Sequence, residues 1–78
     1  MNTQRDVRDS TWLARDAAGV THTLQVRTPV FRHQLASGEW TAWLEEPAKI
    51  TLGGTHVNPL DDGTLEVQST PPLRLTRI

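Results

Sequence analysis

The chain has no cysteine anywhere in its 78 residues. That absence excludes disulfide staples, thiolate metal sites and cysteine nucleophiles together, and it fits a reducing compartment. Long hydrophobic runs are missing as well: no stretch approaches the roughly 20 apolar residues that cross a bilayer as a helix. The opening residues, MNTQRDVRDS, are polar and lack the apolar segment of a secretion signal. These absences lead to the expectation of a soluble, cytoplasmic protein with no membrane partner. No Gly-x-Gly-x-x-Gly or phosphate-loop pattern occurs, and Gly53-Gly54 reads as a turn. Nor is there an internal repeat: TWL at 11–13 and AWL at 42–44 share no flanking pattern.

A chain this short buries only about 60–65% of the surface its unfolded form exposes, so the core must be thin. Three tryptophans and 36% apolar residues nevertheless argue for a folded chain rather than disorder. Self-association is one way to support such a core. The net charge of −1 hides an uneven distribution. Residues 1–33 hold five arginines against three aspartates, residues 34–66 hold Lys49 against six acids, and the tail adds Arg74 and Arg77. Nonspecific nucleic-acid binding needs clustered cations that displace counterions, and this dipolar pattern speaks against it.

What is present is the alternation of strands, punctuated by Gly, Pro and Asp. STWLARDAAGVTHTLQVRTPVF reads as a hairpin. Trp12 and Ala14 face one way and Leu13 and Arg15 the other, and DAAG turns at Gly19. Val20, His22, Leu24 and Val26 then alternate with Thr21, Thr23, Gln25 and Arg27. Pro29 lacks a ladder donor, so the strand is expected to end, bulge or become an edge there. The competing reading is a helix from Thr3 to Ala17 closed by Gly19, but its stripe through Val7, Thr11, Ala14 and Ala18 leaves Trp12 and Leu13 off-face. Downstream, LASG is a loop. EWTAWLEE alternates with Trp40, Ala42 and Leu44 inward, KITL is a short strand, and Asn58-Pro59 signals a turn or kink.

VNPLDDGTLEVQST poses the sharpest chemical question, because Asp61 and Asp62 could form a turn or a metal site. Asp-Gly between alternating apolar segments is a strong hairpin signal, since both residues tolerate positive φ. A calcium loop needs further oxygen ligands at alternating positions, and Thr64, Leu65 and Val67 do not supply them. Asp61 and Asp62 are therefore read as structural. Leu65 and Val67 point inward, as do Leu73 and Leu75 in the closing PPLRLTRI, where Pro71-Pro72 protects an edge.

ITLGGTHVNPLDDGTLEVQSTPPLRLTRI resembles the ending of short, uncharacterised β-rich proteobacterial proteins: a Gly turn, Val-Asn, an Asp-Asp turn, a Thr-apolar-Glu-apolar strand and a closing Leu-x-Arg. WLARDAAGVTHTLQV is similar to their opening hairpin. This chain has STPPL where that pattern carries a Gly turn. The resemblance implies a β-rich fold and no catalytic activity.

His22, His33 and His56 are the only nitrogen ligands, and their spacing matches no metal motif. Ser10, Ser37 and Ser69 lack the elbow context of a nucleophile. Glu39, Glu45, Glu46 and Glu66 read as outward strand residues rather than a glycosidase pair. A thin core also leaves little room for a deep pocket. Trp40 and Trp43 differ by three, so a regular strand points them to opposite faces, with Trp40 the more buried; the alternative is a bulge through which both partly fill the small core.

The expectation is an all-β fold: a polar tail over residues 1–10, then a single small domain over 11–78. The domain would be an antiparallel, strongly bent sheet or open barrel, SH3-like or OB-like, of about five or six short strands. The expected role is a non-catalytic module, without cofactor or metal, that binds a protein partner or a second copy of itself. Its surface would use Trp43, Trp12, Phe31, Arg27 and Arg32. The alternative is a nucleic-acid-binding barrel using Arg15, Arg27 and Arg32 with an exposed tryptophan as stacking platform.

Overall fold

A computed structural model describes residues 2–78, all of whose regular elements are strands. These are β1 (Thr3–Asp16), β2 (Thr21–His33), β3 (Leu44–Glu45), β4 (Lys49–Leu52), β5 (Thr55–Pro59), β6 (Leu65–Val67) and β7 (Leu73–Arg77). The sheet runs β1-β7-β6-β5-β4-β2, and β1 pairs with β2 to close a barrel of antiparallel strands, with β3 added on β2. Closure removes most sheet edges, which a chain with so little apolar surface can ill leave open. The fold is all-β, as expected, and the helix reading of Thr3–Ala17 is not adopted.

Alternation builds the core. Ala14, Leu24, Val26, Ile50, Val57, Leu65, Val67 and Leu75 are buried together, and Trp12, Leu52 and Leu73 pack against them. Turns sit where glycine permits them. Gly63 has φ 85° with open space around it, so a side chain there would be strained by backbone conformation alone. Its N–H donates to Leu60 O, and Leu60 N–H donates to Thr64 O. Asp62 accepts from Thr64 N–H (3.0 Å) and Thr64 Oγ1 (2.6 Å), which holds its carboxyl below the usual carboxylate range. Asp62 is a turn residue.

The first hairpin departs from expectation in length. β1 and β2 pair without interruption from Arg15↔Thr21 to Thr3↔His33, yet β7 flanks β1 only at Ala14–Asp16, and beyond β4 only the two-residue β3 flanks β2. The remainder projects as an arm of these two strands, with β3 along the β2 side. The molecule measures 55 × 20 × 20 Å with a radius of gyration of 16.4 Å, against about 11.5 Å for a compact chain of this length. The polar stretch expected as a tail is thus strand from Thr3 onward; Met1 lies outside the described residues. Gln4–Ser10 are exposed throughout, so no hydrophobic alternation could mark them. Their order comes from the backbone ladder to β2.

Pro29 does not end β2. Its carbonyl accepts from Glu46 N–H, and N and O of one strand residue point to the same flank. The missing donor therefore faces away from β1. It also falls between the β4 pairing, which stops at Arg27, and the β3 pairing, which starts at Val30. Asn58-Pro59 likewise does not turn the chain, for β5 runs through Pro59 opposite Leu65. Val20 precedes β2 and is exposed rather than inward.

Candidate interaction surface

The arm has two faces and a free edge. Strand parity carries the barrel-facing row of β2, Leu24 and Val26, outward to Val30 and Arg32. Val30 is buried although it stands outside the main core. Arg32 lies with its guanidinium 4.9 Å from the Trp40 ring centre and 4.7 Å from that of Trp43, and its Nε donates to Gln4 Oε1 at 2.7 Å. Delocalised and weakly hydrated, guanidinium suits such a sandwich.

Both tryptophans reach one face because of a bulge. Gln34 bridges Trp40, whereas Phe31 pairs with Leu44. One more residue lies between Trp40 and Leu44 than between Phe31 and Gln34, and a one-residue slip exchanges the faces. EWTAWLEE is therefore not a regular strand. Ala42 and Leu44 are exposed rather than inward, and Trp40 and Trp43 are both half-buried.

The opposite face carries Phe31, packed edge-on against His33 at 5.3 Å, with Arg5 above its ring at 5.8 Å. Arg5 Nη1 also pairs with Glu46 Oε1 at 2.9 Å, and Thr3 Oγ1 lies 3.1 Å from His33 Nδ1. Val7 and Leu44 remain 41% and 48% exposed on this face. A shallow hollow of about 210 Å³ lies between Val7, Pro29, Arg27 and Lys49. Another, of about 340 Å³, lies at the arm's tip beside Asn2, Gln34, Leu35 and Ala36.

Among the described residues, Thr3–Trp12 pair with β2 alone, since β7 covers β1 only at Ala14–Asp16 and Ile78 N–H reaches Leu13 O. Asn2 O accepts from Gln34 on the β2 side, while Leu13 O accepts from the β7 side. Alternation then turns the backbone groups of Arg5, Val7, Asp9 and Thr11 toward open space. The Val7 N–H is met by the Asp6 carboxylate at 2.8 Å.

Of the residues singled out from sequence, Arg32 and Trp43 meet on one face of the arm and Phe31 stands on the other. Arg27 stands at its base, paired with Asp9 at 3.2 Å. Trp12 is elsewhere, packed on the barrel core under Arg77, whose guanidinium lies 3.7 Å from its ring centre. Arg15, Arg27 and Arg32 do not cluster: Arg15 faces Thr21, which is about 36 Å along β2 from Arg32. Trp40 and Leu44 were read as inward residues, and the edge of β1 was not read at all. Clues to them were the Pro47 that stops β3 and the mixed charges of RDVRD.

Asp16 secures the far end of the hairpin. Its Oδ1 accepts from Ala18 and Val20 N–H, and its Oδ2 accepts from His22 Nε2 at 2.9 Å. The His22 hydrogen bond, then the Val20 amide, hold its carboxyl below the usual range. No cluster of three or more metal-ligating side chains occurs among the described residues, nor any helix long and apolar enough to cross a membrane. Compared with known protein families, characterised proteins and solved structures, the chain matches none of them.

Proposed function

We propose that this chain is a non-catalytic interaction module in which the barrel is the scaffold and the arm binds a protein. The observation that carries this reading is the arm itself. Beyond the barrel it carries Phe31 and the half-exposed Val7 and Leu44 on one face and Trp40 and Trp43 on the other, and it leaves the β1 flank unpaired. Aromatic and arginine side chains are the residue types that dominate binding hot spots, and an unpaired edge offers main-chain hydrogen bonds to an extended partner. The cytoplasm is part of this proposal, resting on the lack of cysteine.

One observation favours a non-catalytic reading. The carboxylate–histidine pair Asp16–His22 and the hydroxyl–histidine pair Thr3–His33 sit at opposite ends of the hairpin, about 36 Å apart, and cannot combine. Nucleic-acid binding ranks below protein binding because Arg15, Arg27 and Arg32 are dispersed. Arg27 is paired with Asp9, and Arg32 already lies over the two tryptophan rings on which a base would stack.

The test is site-specific photocrosslinking in cells that express the full chain. Benzoylphenylalanine in place of Leu44 should capture protein, whereas the same probe at the barrel positions Leu13 or Val20 should not. Capture only from the barrel would contradict the reading. So would oligonucleotide binding by the purified chain that weakens steeply with salt.

A further inference from the structure

Building on the reading of the arm as the binding element, we infer that its free edge takes a second copy of the same chain, β1 against β1, antiparallel about a two-fold axis at Val7. Three independent features converge on that axis.

The first is the extent of the edge. The part of β1 bonded only to β2 and carrying outward backbone groups runs from Thr3 to Thr11, before Ile78 and β7 cover the strand from Leu13 onward. Its midpoint is Val7. The other edge of the arm, β3, is only Leu44–Glu45 and is stopped by Pro47, so it offers little to pair with.

The second is hydrogen-bond phase. An antiparallel partner must set outward-pointing residues opposite outward-pointing residues, each such pair exchanging two bonds. A two-fold axis at Val7 does so, placing Val7 opposite Val7, Arg5 opposite Asp9 and Thr3 opposite Thr11 of the second copy. Val7 N–H, now held by Asp6, then bonds across the axis and frees that carboxylate.

The third is charge. Arg5-Asp6-Val7-Arg8-Asp9 inverts in charge about Val7, each position mirrored by one of opposite sign. Arg5 meets Asp9 of the second copy on one face, and Asp6 meets its Arg8 on the other. Centring the pair on Asp6 or Arg8 instead would oppose two aspartates or two arginines, and centring it on Arg5 or Asp9 would do the same. Charges on an edge ordinarily discourage pairing; here they discourage every nearby register but one. The closed, self-complementary contact is that of a two-fold dimer.

Sedimentation of the purified full chain should show a monomer–dimer equilibrium. The acidic variant Arg5→Asp with Arg8→Asp and the basic variant Asp6→Arg with Asp9→Arg should each weaken it by about tenfold or more, and an equimolar mixture should restore it. Unchanged melting temperatures would show that both variants fold. Should either fail to fold, Val7→Cys gives a second test in a chain with no other cysteine. Cα atoms of a hydrogen-bonded antiparallel pair lie about 5.5 Å apart, within disulfide range, so mild oxidation should link this variant far faster than Leu13→Cys. A monomer at all concentrations, no restoration on mixing, or equal rates for the two cysteines would overturn the inference. A dimer indifferent to these charges but lost on Leu44→Ser would overturn it too, while upholding the arm as the binding element. Crosslinks from Leu44 to a different protein would leave that broader reading intact when self-pairing fails.

Discussion

The two halves of the β1–β2 hairpin are the same two strands held by different means. In the barrel half, Ala14, Leu24 and Val26 line one face and meet Ile50, Val57, Leu65 and Leu75 from neighbouring strands. In the arm half only Val30 is buried. Order there comes from the ladder to β2, the Arg32 sandwich and ion pairs such as Arg5–Glu46. Exposed ion pairs contribute little each, about 0–1 kcal/mol. Hydrophobic burial thus sets the stability of the barrel, while the arm is ordered at small net gain and keeps its edge and aromatics available.

That contrast can be broken at the barrel first. Leu75→Ala removes a fully buried side chain from a thin core and should cost about 3 kcal/mol, read by denaturant unfolding. A loss below about 1 kcal/mol would mean that the barrel core does not dominate stability. Next in size is Gly63→Val, which forces a β-branched residue to φ 85°. It should cost about 1–3 kcal/mol by the same assay, and Asp62→Ala should cost less. Arg32→Ala on the arm should leave global stability within about 1 kcal/mol, yet shift the tryptophan fluorescence as Trp40 and Trp43 lose the charge between them. Full unfolding on this change would make the arm part of the core.

The smallest effect is acid-linked. The carboxyl pKa of Asp16 is lowered on folding, so its contribution is complete above its unfolded value of 3.8 and is lost as pH falls through the lower folded value. Asp16→Asn should therefore flatten the acid limb of the melting-temperature profile and change it least below that limb. An unchanged acid limb would show that the His22 and Val20 bonds do not matter to folding.

Sequence reading succeeded where one face of a strand is buried or a turn demands glycine. Leu65 and Val67 point inward as their alternation required, and Gly19, Gly53, Gly54 and Gly63 all take positive φ. It missed Thr3–Ser10 because a ribbon exposed on both faces carries no period-two signal. The Trp40–Trp43 face was left as one of two alternatives, because a bulge changes parity without changing composition. Phe31, Arg32 and Trp43 were found by residue type, but the free edge of β1 is a property of topology. It becomes visible only once β7 is seen to stop short of Trp12.

Backbone amide exchange, resolved by residue and followed as protein concentration rises, tests most directly whether the arm associates while the barrel holds the fold. The outward-facing amides of Arg5, Val7, Asp9 and Thr11 should gain protection with concentration. Those of Leu24, Val57 and Leu75 in the barrel should be protected at every concentration. Protection of the arm edge that never varies with concentration, or a concentration effect confined to barrel amides, would contradict the account.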